Sequence, residues 1–217
     1  MNFITRGLMA TGLAFYVSAS LAAGGAATAP EGDASAGAKK VAACAACHGK
    51  DGNSASGAFP KLAGQNVKYL VKQLADIQSG VRNVPTMAGQ LDGMSEADLL
   101  NVATYYAEQT GSVGQAAADL VALGESIYRS GVAKKGVAAC TACHSPTGSG
   151  NAPAGFPKLG GQHADYIEAQ LRAYRTGFDQ PEDGRTNDGE TKIMRATAAN
   201  LSDLEIKAVA SYIQGLH

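Results

Sequence analysis

The chain has 217 residues, with 18 basic and 19 acidic side chains and a formal net charge of −1 at pH 7. The basic residues form neither a stripe of the kind that binds nucleic acid nor a cluster that would hold anionic lipid, so we expect no nucleic-acid partner. The length suits one large domain or two small ones.

The first 22 residues have the features of a secretory signal peptide. One positive charge, Arg6, precedes an apolar stretch, 8–21, that ends in the small-x-small pattern of a cleavage site. An uncleaved anchor is the alternative, although the stretch is short for a membrane span. We therefore predict that residues 1–22 are removed on export to an oxidising compartment.

A helix is predicted over 35–47, and Cys44-Ala-Ala-Cys47-His48 lies at its end. C-x-x-C-H is the attachment signal for covalent c-type haem. Positions i, i+3 and i+4 share one helix face, so two thiols can bond to the porphyrin edge while the imidazole points at the iron. A zinc site, a disulfide and a thiol redox pair are the alternatives.

Two more helices are predicted before the middle of the chain. Helical periodicity covers 66–79, and the capping box Ser95-x-x-Asp98 begins a helix that runs to about Gln109. Met87 lies between them, eight residues before the capping box. It is a candidate axial ligand because a thioether suits Fe(II), while core packing is the alternative role.

A small, polar stretch over 110–118 predicts a linker, after which the pattern repeats. A helix over 120–130 is followed by Cys140-Thr-Ala-Cys143-His144, so the two C-x-x-C-H motifs use all four cysteines. Phe-Pro-Lys-Leu-x-Gly-Gln follows both motifs, beginning at Phe59 and Phe156. This is the period of a whole domain, and we predict domains over 23–118 and 119–217.

The rest of the second half repeats the first, with one addition. A helix is predicted over 164–176, and an insertion of about ten residues follows within 178–191, predicted to be a loop. Met194 then precedes the capping box Ser202-x-x-Glu205 by the same eight residues as Met87 precedes its own. This matched placement favours Met87 and Met194 as axial ligands, each in the loop that enters the closing helix. No convincing strand pattern is present, so the predicted fold is all-α.

Two prolines are predicted to orient the histidines. Pro60 lies twelve residues after His48, and Pro157 lies thirteen after His144. A ligating imidazole usually donates its second N–H to a carbonyl, and the carbonyls of these prolines are free to accept. An ordinary turn is the alternative role of each proline.

Three remaining side chains have predicted structural roles. His163 corresponds to Asn66 in the first half, and His217 is the last residue, so both are predicted at the surface or between the domains. Met94 corresponds to Leu201 and is therefore predicted to lie in the core.

The chain resembles the dihaem cytochrome c4 family over essentially all of the predicted mature protein. The resemblance rests on the repeated Phe-Pro-Lys-Leu-x-Gly-Gln, on 186–189 before Met194 and on the closing segment 211–217. It implies two tandem class I cytochrome c domains related by pseudo-two-fold symmetry, each with one covalent haem c. It also implies the axial pairs His48/Met87 and His144/Met194.

The same resemblance implies that the haem propionates face one another between the domains. Tyr69, Tyr166, Arg172 and Arg175 are candidate hydrogen-bond donors to them. Fast electron exchange between the two haems would follow.

The function that the resemblance implies is electron transport in the periplasm. A quinol-oxidising cytochrome complex or another redox protein would be the donor, and a haem-copper terminal oxidase the acceptor. Some members of the family associate loosely with the membrane. Since an iron with two axial ligands has no open position, we expect a carrier and not an enzyme. The alternatives are the cytochrome subunit of a dehydrogenase or flavocytochrome, and a dihaem peroxidase.

Overall fold

The computed structural model describes residues 31–217, so the predicted signal peptide lies outside the described residues. Within this range the regular structure is helical, apart from two isolated bridges in the second half, and the all-α prediction is confirmed. The α-helices of the described range are α1 (Ala34–Ala38), α2 (Ala42–His48), α3 (Val67–Gln78), α4 (Glu96–Ala107), α5 (Val121–Ser130), α6 (Thr141–His144), α7 (Ala164–Asp179), α8 (Ile193–Ala199) and α9 (Asp203–Gly215). Two 3-10 turns span Pro85–Met87 and Ala133–Lys135. None of these helices has the length and apolar character that crossing a bilayer requires.

The helix predicted over 35–47 is two helices. The side chain of Asp33 caps α1 by accepting hydrogen bonds from the backbone N–H groups of Ser35 and Ala36. A turn over 39–41 then separates α1 from α2. The interruption lets α1 pack against α4 while α2 brings the buried His48 to the interior.

The closing helices begin as predicted, at two capping boxes. Ser95 accepts from the backbone N–H of Asp98, whose side chain accepts from the backbone N–H of Ser95, and this starts α4. Ser202 and Glu205 make the same reciprocal pair at the start of α9. Each pair satisfies donors that would otherwise have no partner within the helix.

Each half is built on a close crossing of its first and last helices. A Cβ on Gly37 of α1 would lie 2.1 Å from the carbonyl oxygen of Asn101, and one on Gly124 of α5 would lie 2.3 Å from that of Ala208. Only glycine allows these backbones to approach so closely. Around the crossings lie two apolar cores. The smaller contains Val41, Leu70, Val102, Ala103 and Tyr106. The larger contains Ile127, Tyr128, Ile167, Ile206, Val209 and Ile213 among others.

The two halves form one compact body over 31–217, and matched hydrogen bonds join them. The backbone N–H of Lys61 donates to Oε1 of Gln162 at 2.9 Å, and that of Lys158 donates to Oε1 of Gln65 at 2.7 Å. Residue i contacts residue j, and the counterpart of i contacts the counterpart of j, which is the signature of two-fold symmetry. The structure therefore has two tandem domains related by a pseudo-two-fold axis.

The inserted segment of the second half, predicted as a loop within 178–191, is irregular but does not lie free on the surface. It folds back on α7, where a Cβ on Gly177 would lie 2.5 Å from the carbonyl oxygen of Arg185. Arg185 and Asn187 are only 8% and 6% exposed. The polar composition of the segment therefore reflects buried hydrogen bonding between the halves as well as exposure to solvent.

Candidate functional site

Both halves line one cavity of about 1260 Å³. This exceeds the roughly 300–1000 Å³ typical of a pocket for one small ligand. Its wall includes both cysteines, the histidine and the predicted methionine of each half: Cys44, Cys47, His48, Met87, Cys140, Cys143, His144 and Met194. The rest of the lining is largely apolar, with Leu70 and Leu74 in the first half and Ile167 and Leu171 in the second. The tertiary structure thus brings together residues that lie up to 150 positions apart in the chain.

The two histidines are held in the same way. Nδ1 of His48 lies 2.9 Å from the carbonyl oxygen of Pro60, and Nδ1 of His144 lies 3.0 Å from that of Pro157. A carbonyl can only accept, so Nδ1 carries the proton and Nε2 keeps a free lone pair. The hydrogen bonds expected from the two prolines are therefore present, and each imidazole is oriented as a ligand would be.

Burial controls the protonation of these motif side chains. Desolvation lowers the pKa of both His48 and His144, although the hydrogen bond to the proline carbonyl opposes it. Each imidazole is therefore neutral near pH 7, the form that can bind a metal. Burial also raises the pKa of the Cys44 thiol, and that of the Cys140 thiol to about 11.

The methionines occupy different local structures. Met87 ends the 3-10 turn Pro85–Met87, whereas Met194 lies in the first turn of α8. The expectation that both lie in a loop is therefore wrong for Met194. Both side chains are half-buried and line the cavity. Met94 packs against the core of the first half, as predicted.

A buried ion pair supports the second methionine. Nε of Arg195 lies 2.6 Å from Oδ1 of Asp188, and their side chains are 9% and 4% exposed. The second carboxylate oxygen of Asp188 accepts from the backbone N–H of Arg195 at 2.9 Å. Because Arg195 follows Met194 directly, this pair fixes the first turn of α8.

Two arginines meet at the cavity wall between the halves. Arg82 donates to Oε1 of both Gln73 and Gln170, at 3.0 Å each, and Arg185 donates to the same two oxygens at 2.7 Å each. Arg82 also donates to the hydroxyl of Tyr166 at 3.1 Å. Within 31–217 neither guanidinium pairs with a carboxylate.

These two arginines differ from the predicted propionate donors, which included Arg172 and Arg175. Arg172 pairs with Glu168 and Asp203, and Arg175 binds Asp203 and the carbonyl oxygen of Leu201, so neither lines the cavity. Their assignment as propionate donors is corrected by the structure. Their position in the sequence could have identified Arg82 and Arg185, since each lies between the third helix of its half and the methionine of that half.

The lining fits haem c. The porphyrin ring of haem c is apolar and suits the aliphatic walls of the cavity. The haem propionates suit the guanidinium groups of Arg82 and Arg185, which have no carboxylate partner in the described residues. By contrast, no three His, Cys, Asp or Glu side chains within 31–217 converge as a metal site would require, and no disulfide joins any two of the four cysteines. The geometry therefore gives no support to zinc or a disulfide.

The remaining histidines are structural. Nε2 of His163 lies 2.8 Å from the carbonyl oxygen of Ser54 in the other half, so its predicted position between the domains is confirmed. His217 is exposed at the chain end, as predicted.

Comparisons with known proteins give a consistent result. The family model for cytochrome c matches residues 34–108 and 121–217. Cytochrome c4 of Pseudomonas aeruginosa is 54% identical over 186 residues, which cover 86% of this chain and 90% of that protein. The crystal structure of reduced recombinant cytochrome c4 from Pseudomonas stutzeri is 52% identical with a TM-score of 0.82, covering 86% of this chain and 100% of that one. A thiosulfate dehydrogenase from Marichromatium purpuratum is 30% identical with a TM-score of 0.72, covering 85% of this chain and 40% of that one.

Proposed function

This chain belongs to the cytochrome c4 family, and we propose that it works in the periplasm, delivering electrons to a respiratory terminal oxidase. As a member of that family it holds two covalently bound haem c groups. It transfers electrons between redox proteins and is not an enzyme. The shared cavity with two equivalent sets of motif side chains supports the electron-transfer part of the proposal, and the predicted signal peptide supports the compartment.

Each half would hold one haem with its own residues. Cys44 and Cys47 would form the thioethers of the first half, and Nε2 of His48 would face the iron. Met87 would supply the second axial ligand. The second half would use Cys140, Cys143, His144 and Met194 in the same roles. The bound haem supplies a one-electron couple, and a neutral thioether favours its ferrous form.

The ligand assignment is tested by substituting each methionine. Met87→Ala and Met194→Ala should each remove about half of the near-infrared band that reports methionine bound to ferric haem, since each half contributes one ligand. Met94→Leu is the matched control and should leave the band intact, because Met94 packs in the core. An unchanged band in Met87→Ala or Met194→Ala would contradict the assignment.

The fixed contact between the halves supports electron exchange within one molecule. Hydrogen bonds cross the interface at the repeated lysines and glutamines and at Arg82 and Arg185. A donor docked on one half could then reduce both haems. Stopped-flow reduction at several protein concentrations tests this, and an exchange rate that rises with concentration would contradict it.

Two separate experiments test the proposed compartment, which rests on the predicted signal peptide, and the proposed oxidase partner. A periplasmic fraction should contain a mature chain that begins near residue 23, as mass spectrometry of the intact haem protein would show. Membranes that contain a haem-copper oxidase should consume oxygen when supplied with the reduced protein, and a quinol-oxidising complex should reduce it. A protein that keeps residues 1–22 would contradict the proposed export. Membranes that consume no oxygen with the reduced protein would contradict the proposed oxidase partner.

The similarity to a thiosulfate dehydrogenase favours a second candidate, a cytochrome that serves a dehydrogenase. The match covers 40% of that protein, so the likeness concerns only part of the dehydrogenase. Copurification of a dehydrogenase subunit would support this candidate. Tight binding of carbon monoxide to the native ferrous protein would instead support a peroxidase, because a methionine-ligated carrier binds it poorly.

A further inference from the structure

One peptide group links each histidine to the opposite half of the molecule. The carbonyl of Pro60, which accepts from Nδ1 of His48 at 2.9 Å, belongs to the same amide as the N–H of Lys61. That N–H donates to Oε1 of Gln162 at 2.9 Å. The chain of bonds therefore runs from His48 through the 60–61 amide to a side chain of the second half.

The second histidine is linked in the same way. Nδ1 of His144 lies 3.0 Å from the carbonyl oxygen of Pro157, and the N–H of the same amide, from Lys158, donates to Oε1 of Gln65 at 2.7 Å. The two connections cross the pseudo-two-fold axis in opposite directions. Each histidine is thus connected to the glutamine of the other half.

The glutamine side chains are held in one orientation. Oε1 of Gln162 also accepts from the backbone N–H of His163 at 3.0 Å, while its Nε2 donates to the carbonyl oxygen of Lys61 at 2.9 Å. Gln65 makes the equivalent bonds with Asn66 and Lys158, each at 2.9 Å. Two N–H donors on one side and a carbonyl on the other fix which amide atom is oxygen. Gln65 and Gln162 are only 6% and 8% exposed, so water does not compete for these bonds.

Such a chain transmits polarisation. When an amide N–H donates to a strong acceptor, its own carbonyl becomes more negative and accepts more strongly, by about 10–30% per bond. A stronger bond to Nδ1 makes the imidazole a more basic ligand. A more basic histidine stabilises ferric iron and lowers the reduction potential of its haem.

We propose that Gln65 and Gln162 are positioning residues that tune the haem of the opposite half, through the 157–158 and 60–61 amides respectively. Each glutamine bonds to the amide that accepts from the histidine, and it acts through that histidine. The inference rests on the proposed function, because it requires His48 and His144 to be iron ligands. It makes the potential of each haem depend on intact docking of the other domain.

The test replaces each glutamine by methionine, which has a similar shape but no amide. In Gln162→Met, the Nδ1–H resonance of His48 should move upfield in the nitrogen-15-labelled ferrous holoprotein, and that of His144 should stay in place. The reduction equilibrium of the first haem should shift about twofold toward ferrous iron, or about 18 mV for a one-electron couple. Gln65→Met should give the crossed result, with His144 and the second haem affected.

Two further variants separate this effect from a loosened interface. Gln162→Glu keeps an oxygen for the N–H of Lys61, so it should move His48 Nδ1–H downfield and lower the potential of the first haem. Asn66→Leu removes a different bond between the halves, the one from Nδ2 to the carbonyl oxygen of Phe156 at 2.7 Å. That bond does not reach the 157–158 amide, so neither histidine should respond.

The outcomes distinguish this proposal from the ligand assignment. The proposal that each glutamine tunes the opposite half would be overturned by three results. These are a shift of the Nδ1–H resonance on the histidine of the same half, equal shifts on both histidines, or shifts in the same direction for Gln162→Met and Gln162→Glu. A matching response in Asn66→Leu would overturn it as well. If the wild-type ferrous protein shows no haem-shifted Nδ1–H resonances, histidine ligation itself fails, whatever the glutamine variants do.

Discussion

Met87 and Met194 occupy the same place in a duplicated sequence, but the two halves support them differently. Met87 ends a short 3-10 turn whose other residues are exposed. Met194 lies in a helix whose first turn is fixed by the buried pair of Asp188 and Arg195, a device for which the described first half has no counterpart. Duplication preserved the methionine and its spacing from the closing helix, while the surrounding support diverged.

The comparison also shows what the insertion contributes. Arg82 reaches the interface from the segment after α3, and Arg185 reaches it from the inserted segment after α7. Arg185 is further supported by Asn187 at 2.8 Å and by the ring of Tyr174, whose centroid lies 4.5 Å from its guanidinium carbon. The interface arginine of the second half is therefore held by more contacts within its own half than Arg82 is. Five predictions test where the two halves differ and where they are alike, the first four in order of expected effect.

Breaking the buried ion pair should have the largest effect. Asp188→Ala leaves the buried Arg195 without its carboxylate partner, with only the bond to the carbonyl oxygen of Gly189 remaining, and we expect it to lower the free energy of unfolding by about 3–5 kcal/mol. The near-infrared band of Met194 should weaken while that of Met87 persists. Asp92→Ala in the exposed turn of the first half is the control and should change stability by less than about 0.5 kcal/mol. Equal loss of both methionine bands would contradict the asymmetry.

The two interface arginines should differ in the same sense. Arg185→Met removes a buried guanidinium with bonds to Gln73, Gln170 and Asn187, and should cost about 2–4 kcal/mol. Arg82→Met removes a half-buried one and should cost about 1–2 kcal/mol. Unfolding of the ferrous holoproteins in guanidinium chloride measures both losses of stability. A larger loss for Arg82→Met would reverse our ranking of the two halves.

Substitutions at the two helix crossings should lower stability by similar amounts, since each half has an equivalent crossing. Gly37→Ala and Gly124→Ala each force a Cβ against a backbone carbonyl, and each should cost about 1–3 kcal/mol. Ala38→Ser, at an exposed position of α1, should be nearly neutral. Thermal unfolding measures the three variants, and a neutral Gly37→Ala or Gly124→Ala would show that the crossing can spread at no cost.

The capping boxes should give the smallest effect and no difference between the halves. Ser95→Ala and Ser202→Ala should each cost about 1 kcal/mol, because each removes the acceptor for one N–H group at a helix start. Chemical denaturation of the holoproteins at neutral pH measures both. A cost confined to one half would contradict the equivalence of the closing helices.

The acidic partners of the caps add a pH dependence. Hydrogen bonds lower the pKa of Asp98 from 3.8 to about 2, and the bond from Lys40 contributes more than either of those with Ser95. The bond from Lys135 and then that with Ser202 lower the pKa of Glu205 from 4.5 to about 2. A depressed pKa stabilises the fold above the unfolded value, and that contribution is lost as the pH falls from about 4 to about 2. Asp98→Asn and Glu205→Gln should flatten the stability profile in this range, and an unchanged profile would contradict the assignment.

Local patterns in the sequence were enough for the helices and for the haem motifs. The capping boxes, the periodicity of α3 and α7 and the two C-x-x-C-H motifs depend on residues within one or two turns of each other, so spacing alone predicts them. The split between α1 and α2 and the helix around Met194 were missed. In both places packing against another helix, and not local propensity, sets the backbone.

The sequence by itself predicted two tandem domains, the cysteines and histidines of the two haem motifs, the candidate methionines and the two prolines that bond to the histidines. Only the tertiary structure decided which arginines face the cavity and which glutamine is bonded to which lysine. Arg172 and Arg175 carry the same side chain as Arg82 and Arg185, but the carboxylates of Glu168 and Asp203 pair with them. A charged side chain takes its role from the partners that folding brings to it, and here those partners lie about 90 to 110 residues away in the chain.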